Sequence, residues 1–221
     1  PLTSWKPVYP QYNDDIHCTV IKPYENLPLI VGLAFGHPAA VICQVSPVGQ
    51  LRVYAALCED STMGIQQFAR DVLKPFLSTN FPGYRIQCVG DPAGVRRADS
   101  DEKTAFMALS EEGFISMPAI TNEPKARQEA VKKYLTKMVT NGQPGFLVSP
   151  DASLIRKGML GGYHFKRVQV GGWEGKYREV PEKNEYSHPH DALQYVALFS
   201  TTAEAASDFG KKIAYPNLGV C

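Results

Sequence analysis

Three apolar runs joined by short turns dominate the first quarter of the chain. Residues 29–35, 39–45 and 51–58 are almost continuously hydrophobic, which is typical of strands buried on both faces. The turn Ser46-Pro47-Val48-Gly49 is short enough to join two antiparallel neighbours. We therefore predict that the first three strands form a meander.

From Gly64 onward, the apolar spacing changes to the period of a helix, and helices then alternate with short strands. The run 65–77 places its apolar side chains on one helical face. The later helices are predicted over residues 104–112, between Asn122 and Gly142, over 151–160, and from Ser187 to Phe199. The short strands between them end near residues 89, 117 and 148.

Residues 161–186, rich in Gly, aromatic and charged residues, interrupt this alternation. Gly171-Gly172 at their centre favours a β-hairpin inserted before the last helix. Together, these elements predict an α/β fold in which a mixed sheet is covered by helices on both faces.

The same pattern divides the chain into three parts. Prolines punctuate the polar residues 1–28, which we predict to be a linker. Residues 29–200 form the predicted domain, and residues 201–221 a polar tail. The chain opens on Pro1 rather than Met, so we expect it to be the C-terminal part of a longer protein.

Composition narrows the functional classes. The 221 residues include 23 Lys and Arg against 22 Asp and Glu, which excludes a polycationic or an acidic-tail protein. The five cysteines form no CxxC pair and are expected to be free thiols. No apolar segment is long enough to span a membrane. The chain also lacks the GxxxxGK[ST] and GxGxxG phosphate-binding loops of nucleotide-binding proteins.

Two aspartates occupy positions where their carboxylates could bind a divalent cation. Asp91 directly follows a buried strand, at the edge where α/β sheets bind ligands, although it could instead serve only its own turn. Asp191 is predicted to lie in the first turn of the last helix, where the helix macrodipole alone would also stabilise an acid. Carboxylates from separate elements are the ligands that Mg²⁺ or Mn²⁺ requires, and a third would be expected on the first strand.

Three motifs in chain order carry a family resemblance: residues 31–36 (VGLAFG), 89–94 (VGDPAG) and 187–195 (SHPHDALQY). They resemble the metal-binding motifs of the C-terminal nuclease domain of the large terminase subunit of tailed bacteriophages, a member of the RNase H-like superfamily. The resemblance covers roughly residues 29–200. It implies an RNase H-like fold with the inserted hairpin.

Ala34 departs from the family pattern, in which the first strand reads Gly, apolar, Asp, aromatic, Gly. The resemblance implies that Asp91 and Asp191 each hold one of two Mg²⁺ or Mn²⁺ ions, bridged by an Asp at position 34. The catalytic positions would thus be Asp91, Asp191 and the substituted Ala34. We predict weak metal binding and poor cleavage, and interpret Ala34 as an inactivating substitution; a naturally degenerate nuclease is the alternative.

Basic residues near these motifs are candidate DNA contacts. Phosphate-binding side chains would position a duplex beside the acidic site. Acidic neighbours offset the cations of the hairpin, so a charge-balanced, solvated hairpin is the alternative. The candidates are Lys183, Lys166, Arg167, Arg127 and Arg97.

The resemblance implies a metal-dependent endonuclease that cleaves concatemeric double-stranded phage DNA during genome packaging. It further implies an ATPase domain preceding Pro1, and the small terminase subunit and the portal protein as partners. The isolated domain is expected to be a monomer, located in the infected host cytoplasm and transiently at the procapsid portal. Two alternatives stay open: another RNase H-like nuclease such as a junction resolvase, or an inactive module that docks DNA or the portal.

Overall fold

The computed structural model describes residues 4–95, 103–168 and 176–209. Short 3-10 turns at Pro92–Val95 and Thr140–Gly142, and π-helical turns at Ala69–Leu73 and Gly158–Gly162, supplement the regular elements. The strands are β1 (Trp5–Pro7), β2 (Leu29–Ala34), β3 (Ala39–Val45), β4 (Leu51–Cys58), β5 (Ile86–Gly90), β6 (Ser116–Pro118), β7 (Met138–Val139), β8 (Gln143–Pro144), β9 (Phe146–Val148), β10 (His164–Val168) and β11 (Lys176–Tyr177). The helices are α1 (Asp14–His17), α2 (Ile65–Phe68), α3 (Lys74–Asn80), α4 (Ala105–Glu111), α5 (Pro124–Thr136), α6 (Ser153–Lys157) and α7 (Ser187–Phe209).

A six-stranded mixed sheet in the order β6-β5-β2-β3-β4-β9 forms the centre of the fold. Strands β2, β3 and β4 form the predicted antiparallel meander. Strand β5 pairs in parallel with β2, β6 with β5, and β9 with β4. The carboxyl ends of β2 and β5 therefore lie side by side at one edge of the sheet.

Helices cover both faces of this sheet, which confirms the predicted α/β architecture. On one face, α5, α6 and α7 contribute buried side chains such as Val131, Ile155 and Val196. On the other face, α2, the π-helical turn and α4 contribute Phe68, Leu73 and Leu109. Burial of each such side chain stabilises the fold by about 1.5–3 kcal/mol.

Residues 4–28 pack against this domain, although the sequence indicated a linker. Strand β1 adds to the hairpin by pairing antiparallel with β10, and Tyr9 is only 1% exposed. Asp14 pairs with Arg156 of α6 through two contacts of 2.9 and 2.5 Å. Prolines and polar residues suggested a loop, but Val8 and Tyr9 among them are buried as core side chains.

The hairpin is present as predicted, whereas the last helix is longer than predicted. The antiparallel pairing of β10 with β11 agrees with the predicted hairpin; Gly171-Gly172 lie outside the described residues. Helix α7 continues to Phe209, well into the segment predicted to be a polar tail. A helix can continue through polar residues without an apolar period, so polarity alone did not reveal this extension.

The described cysteines Cys18, Cys43, Cys58 and Cys88 are free thiols, as the sequence predicted; Cys221 lies outside the described residues. Burial raises the pKa of Cys88 to about 12 and raises that of Cys43 further. Among the described residues, no helix is both long and apolar enough to cross a membrane.

Candidate acidic site at the carboxyl ends of the central strands

Asp91 is fixed in place by the turn that follows β5. Its Oδ1 accepts a hydrogen bond of 2.8 Å from the backbone N–H of Ala93, and its carbonyl oxygen accepts one of 2.9 Å from Gly94. Gly94 has no side chain where the ring of Phe35 packs, so this turn can close against the end of β2. Asp91 therefore caps its own turn, and this leaves its Oδ2 for other contacts.

Asp191 reaches the same edge because α7 crosses β2 at very short range. A side chain at Gly32 would overlap the carbonyl oxygen of Ala192 and the side chain of Val196, so only glycine permits this approach. Asp191 is the fifth residue of α7, whose first turn contains no acidic residue. The macrodipole interpretation is therefore wrong for Asp191, which instead contacts side chains of other elements.

Ala34 ends β2 and lies next to Asp91 in the sheet. The last registered pair between the parallel strands is Leu33 with Gly90, and one residue further along come Ala34 and Asp91. Ala34 is 5% exposed and belongs to the same core cluster as Ala192 and Tyr195 of α7. The three motif positions predicted to form the site thus lie at one edge of the sheet, and the Ala34 side chain has no polar atom.

Two cations neutralise Asp191. Arg127 of α5 donates from Nη1 to Asp191 Oδ1 at 3.1 Å, and Lys183 Nζ lies 3.4 Å from Oδ2. The Arg127 side chain is only 9% exposed and that of Asp191 16%, whereas Lys183 is 68% exposed. The buried contact to Arg127 is therefore the stronger of the two, because water screens an exposed ammonium group.

Tyr195 connects Arg127 to Asp91. The guanidinium carbon of Arg127 lies 4.9 Å from the centre of the Tyr195 ring, which is within cation–π range. The Tyr195 hydroxyl donates to Asn122 Oδ1 at 2.8 Å and also lies beside the Asp91 carboxylate. Burial raises the pKa of Tyr195, the charges of Asp91 and Asp191 add to this, and Arg127 opposes it. The hydroxyl is therefore a neutral donor at physiological pH.

The residues present at this edge do not fit a two-ion metal centre. No group of three or more His, Cys, Asp or Glu side chains in the described part of the chain is arranged to hold a metal ion. Asp91 uses one oxygen on its own turn, Asp191 contacts two cations, and position 34 is an alanine. Two hard cations that share carboxylate ligands require more free oxygen atoms than this arrangement offers.

The residues predicted to contact DNA do not lie together on one surface. Lys183 lies at the site, whereas Lys166 and Arg167 lie on β10, where Lys166 pairs with Glu182 at 2.8 Å. Arg127 is buried and directed at Asp191, so it is not a free phosphate ligand. Arg97 lies outside the described residues.

A cleft of about 460 Å³ adjoins the site on the side of Lys183. His37 and His188 line it with stacked rings, whose centres are 4.4 Å apart. Burial, then the charges of His37 and Lys183, lower the pKa of His188. This pair was not predicted, because His37 and His188 are distant in sequence and meet only through packing.

The contacts of Arg127 and Tyr195 with the acidic site were not predicted, although the sequence pattern indicates that Arg127 is buried. Arg127 precedes Ala130, Val131 and Tyr134 by three, four and seven residues, and thus lies on the buried face of α5. An arginine on such a face needs a buried acceptor, which here is Asp191. No comparable signal distinguished Tyr195 from the apolar residues around it.

No protein-family model matches this sequence, and no curated protein matches it. Among solved structures, the chain is similar to the large terminase from a thermophilic bacteriophage, with a TM-score of 0.61 and 16% identity, over 88% of this chain and 44% of that one. The same terminase in complex with ATP-gamma-S gives a TM-score of 0.60 and 16% identity, over 88% and 45%. The yeast mitochondrial Holliday junction resolvase Ydc2 gives 0.46 and 10% identity, over 85% of each chain, which is too distant to carry an argument.

The chain spans less than half the length of the terminase chains it matches. At this level of identity, the similarity establishes the fold and leaves activity to the residues of the site. The chain therefore has the RNase H-like α/β fold found in part of a phage large terminase, as the motif resemblance implied.

Proposed function

We propose that this chain is the nuclease domain of a phage large terminase, and that Ala34 holds it in an inactive state. The intact domain would be a metal-dependent endonuclease that cleaves concatemeric double-stranded DNA during genome packaging. DNA, the small terminase subunit and the portal protein would be its partners, and an ATPase domain would precede it. Its place of action would be the infected host cytoplasm, transiently at the procapsid portal.

One observation carries this proposal. Ala34, Asp91 and Asp191 come from three distant parts of the chain and meet at the carboxyl ends of adjacent central strands. That edge is where α/β sheets bind ligands. An aspartate at position 34 would add the carboxylate that the site lacks, beside Asp91 and facing α7.

A plasmid-cleavage assay with Mn²⁺ tests the proposal by comparing the chain with Ala34→Asp. We expect Ala34→Asp to linearise supercoiled DNA at least a hundredfold faster, because loss of one member of a cooperative catalytic unit costs orders of magnitude in rate. EDTA should abolish the cleavage. Linear duplex and a four-way junction are compared as substrates.

Two variants serve as controls. Ala34→Asn matches the size of the new side chain without its charge, and Ala34→Asp/Asp191→Asn removes a second carboxylate; both should stay inactive. If folded Ala34→Asp does not cut DNA, the nuclease proposal is wrong and a DNA- or portal-docking module is favoured. Preference for the four-way junction would instead indicate a resolvase.

A further inference from the structure

The acidic site is electrically balanced by the protein's own side chains. Asp91 and Asp191 supply two negative charges, and Arg127 and Lys183 two positive ones, so the formal charges cancel. A divalent cation is drawn to a site by uncompensated negative charge, which this arrangement does not provide. The disagreement between the family's metal centre and these residues therefore needs its own explanation.

The Arg127 side chain is held in place by burial and by its contacts. Its side chain is nine-tenths buried between α5 and α7, it donates to Asp191, and its guanidinium group covers the ring of Tyr195. The Nε of Arg127 has no hydrogen-bond partner within the described structure, so its main polar contact is the carboxylate. A buried arginine is costly unless it is paired, so this geometry persists only because the carboxylate is present.

From these contacts we propose that Arg127 is the internal counter-cation of the acidic site. It compensates the charge of the Asp191 side chain and holds that side chain in place without a metal ion. It also packs on the ring of Tyr195, whose hydroxyl lies beside Asp91. Divalent cations compete with Arg127 for Asp191 and are excluded while position 34 is alanine. Arg127 is thus a positioning residue that acts through Asp191 rather than a contact to DNA.

Lys183 has a secondary part in this arrangement. It is mostly exposed and lies at 3.4 Å, so it adds a screened charge and can leave without disturbing the core. Removal of Lys183 should therefore weaken the exclusion of metal only slightly, whereas removal of Arg127 should abolish it.

Direct measurement of Mn²⁺ binding, by electron paramagnetic resonance of the free ion, tests this proposal without an activity assay. The unmodified chain should bind Mn²⁺ at this site only weakly, with a measurable Kd well above the micromolar range. Arg127→Met, which keeps an unbranched apolar side chain but removes the charged guanidinium group, should increase Mn²⁺ affinity at least tenfold, and Mn²⁺ should then raise its Tm. Lys183→Met, at an exposed position that tolerates change, should increase affinity about two- to threefold.

Three controls test whether the gain in Mn²⁺ affinity comes from the Arg127–Asp191 pair. Arg127→Lys retains a cation and should not gain affinity, and Arg127→Met/Asp191→Asn should lose the gain. Arg156→Met removes a paired arginine elsewhere in the domain and should bind Mn²⁺ as the unmodified chain does. Tight Mn²⁺ binding by the unmodified chain that Asp191→Asn abolishes would overturn the proposal. So would an Arg127→Met or a Lys183→Met variant whose affinity is unchanged or lower.

This inference takes its site from the proposed function, yet the two fail separately. Ala34→Asp that never cleaves DNA refutes the nuclease and leaves the Mn²⁺ competition intact. Ala34→Asp that cleaves DNA, together with an unmodified chain that binds Mn²⁺ tightly at Asp191, supports the nuclease and refutes the internal counter-cation.

Discussion

Individual residues at the sheet edge owe their roles to what they lack as much as to what they carry. Gly32 lacks the side chain that would keep α7 away from β2, and Ala34 lacks the carboxylate that would complete the acidic site. Asp191 reaches the edge only because Gly32 permits the close crossing. The position of Asp191 therefore depends on how closely α7 packs against β2.

Gly32→Ala should destabilise the fold by about 3 kcal/mol or more, because the new methyl group overlaps the backbone of α7 and the core cannot relax around it. Urea denaturation, followed by circular dichroism, measures the change in the free energy of unfolding. Gly36→Ala is the matched control, since no atom lies close to its added methyl group. Equal stability of the two variants would contradict the close crossing of α7 and β2.

At the scale of elements, the N-terminal segment and the start of α7 hold each other. Tyr9 stacks on His190, their ring centres 5.9 Å apart, and Tyr163 stacks on the same imidazole at 4.7 Å. Gln194 donates to the Tyr9 hydroxyl at 2.9 Å. His190, the residue next to Asp191 in α7, is thereby clamped between Tyr9, just after β1, and Tyr163, just before β10, so the chain before residue 10 helps to fix the acidic site.

The clamp predicts a dependence of stability on pH. Burial lowers the pKa of His190 to about 3, whereas an unfolded histidine titrates near about 6.5. As the pH falls from that value toward 3, the unfolded state binds the additional proton, and stability falls by up to about 1.4 kcal/mol per pH unit. His190→Leu should lose this part of the dependence between pH 7 and 5.

Chemical denaturation at a series of pH values measures this contribution. Tyr9→Phe is the matched control, because it removes a hydroxyl group from the same clamp without changing a group that titrates in this range. It should keep the slope of the unmodified chain. A His190→Leu variant with that same slope would show that His190 does not remain neutral in the folded state.

At the scale of the whole molecule, the hairpin and the acidic site form one continuous side of the domain. Lys166 and Arg167 lie on β10, and Glu182, which pairs with Lys166, precedes Lys183 at the site. A duplex bound at the carboxyl ends of the strands would therefore meet the hairpin as well. The opposite end of the sheet, where Lys74 and Arg85 line a second groove, would stay free.

Lys166→Ala/Arg167→Ala should weaken binding of double-stranded DNA severalfold and reduce the dependence of log affinity on log salt by about 1–2, because up to two phosphate contacts are lost. Fluorescence anisotropy with a labelled duplex over a range of salt concentrations measures both quantities. Lys74→Ala at the far end of the sheet serves as the control and should bind normally. If all of these variants bind alike, DNA does not lie across the hairpin.

From residue 29 onward, the apolar period and the turn residues were enough to predict the order of the main strands and helices and the mixed α/β fold, because they are local properties. They also predicted that Asp91 follows a strand and that Asp191 lies in the last helix. The sequence did not determine that residues 4–28 are packed or that α7 extends to Phe209, because burial of Tyr9 and the length of a helix depend on distant partners. The pairing of charges could be seen only once the chain was folded. Arg127 and Asp191 are 64 positions apart, and their contact exists because α5 and α7 pack on the same face of the sheet.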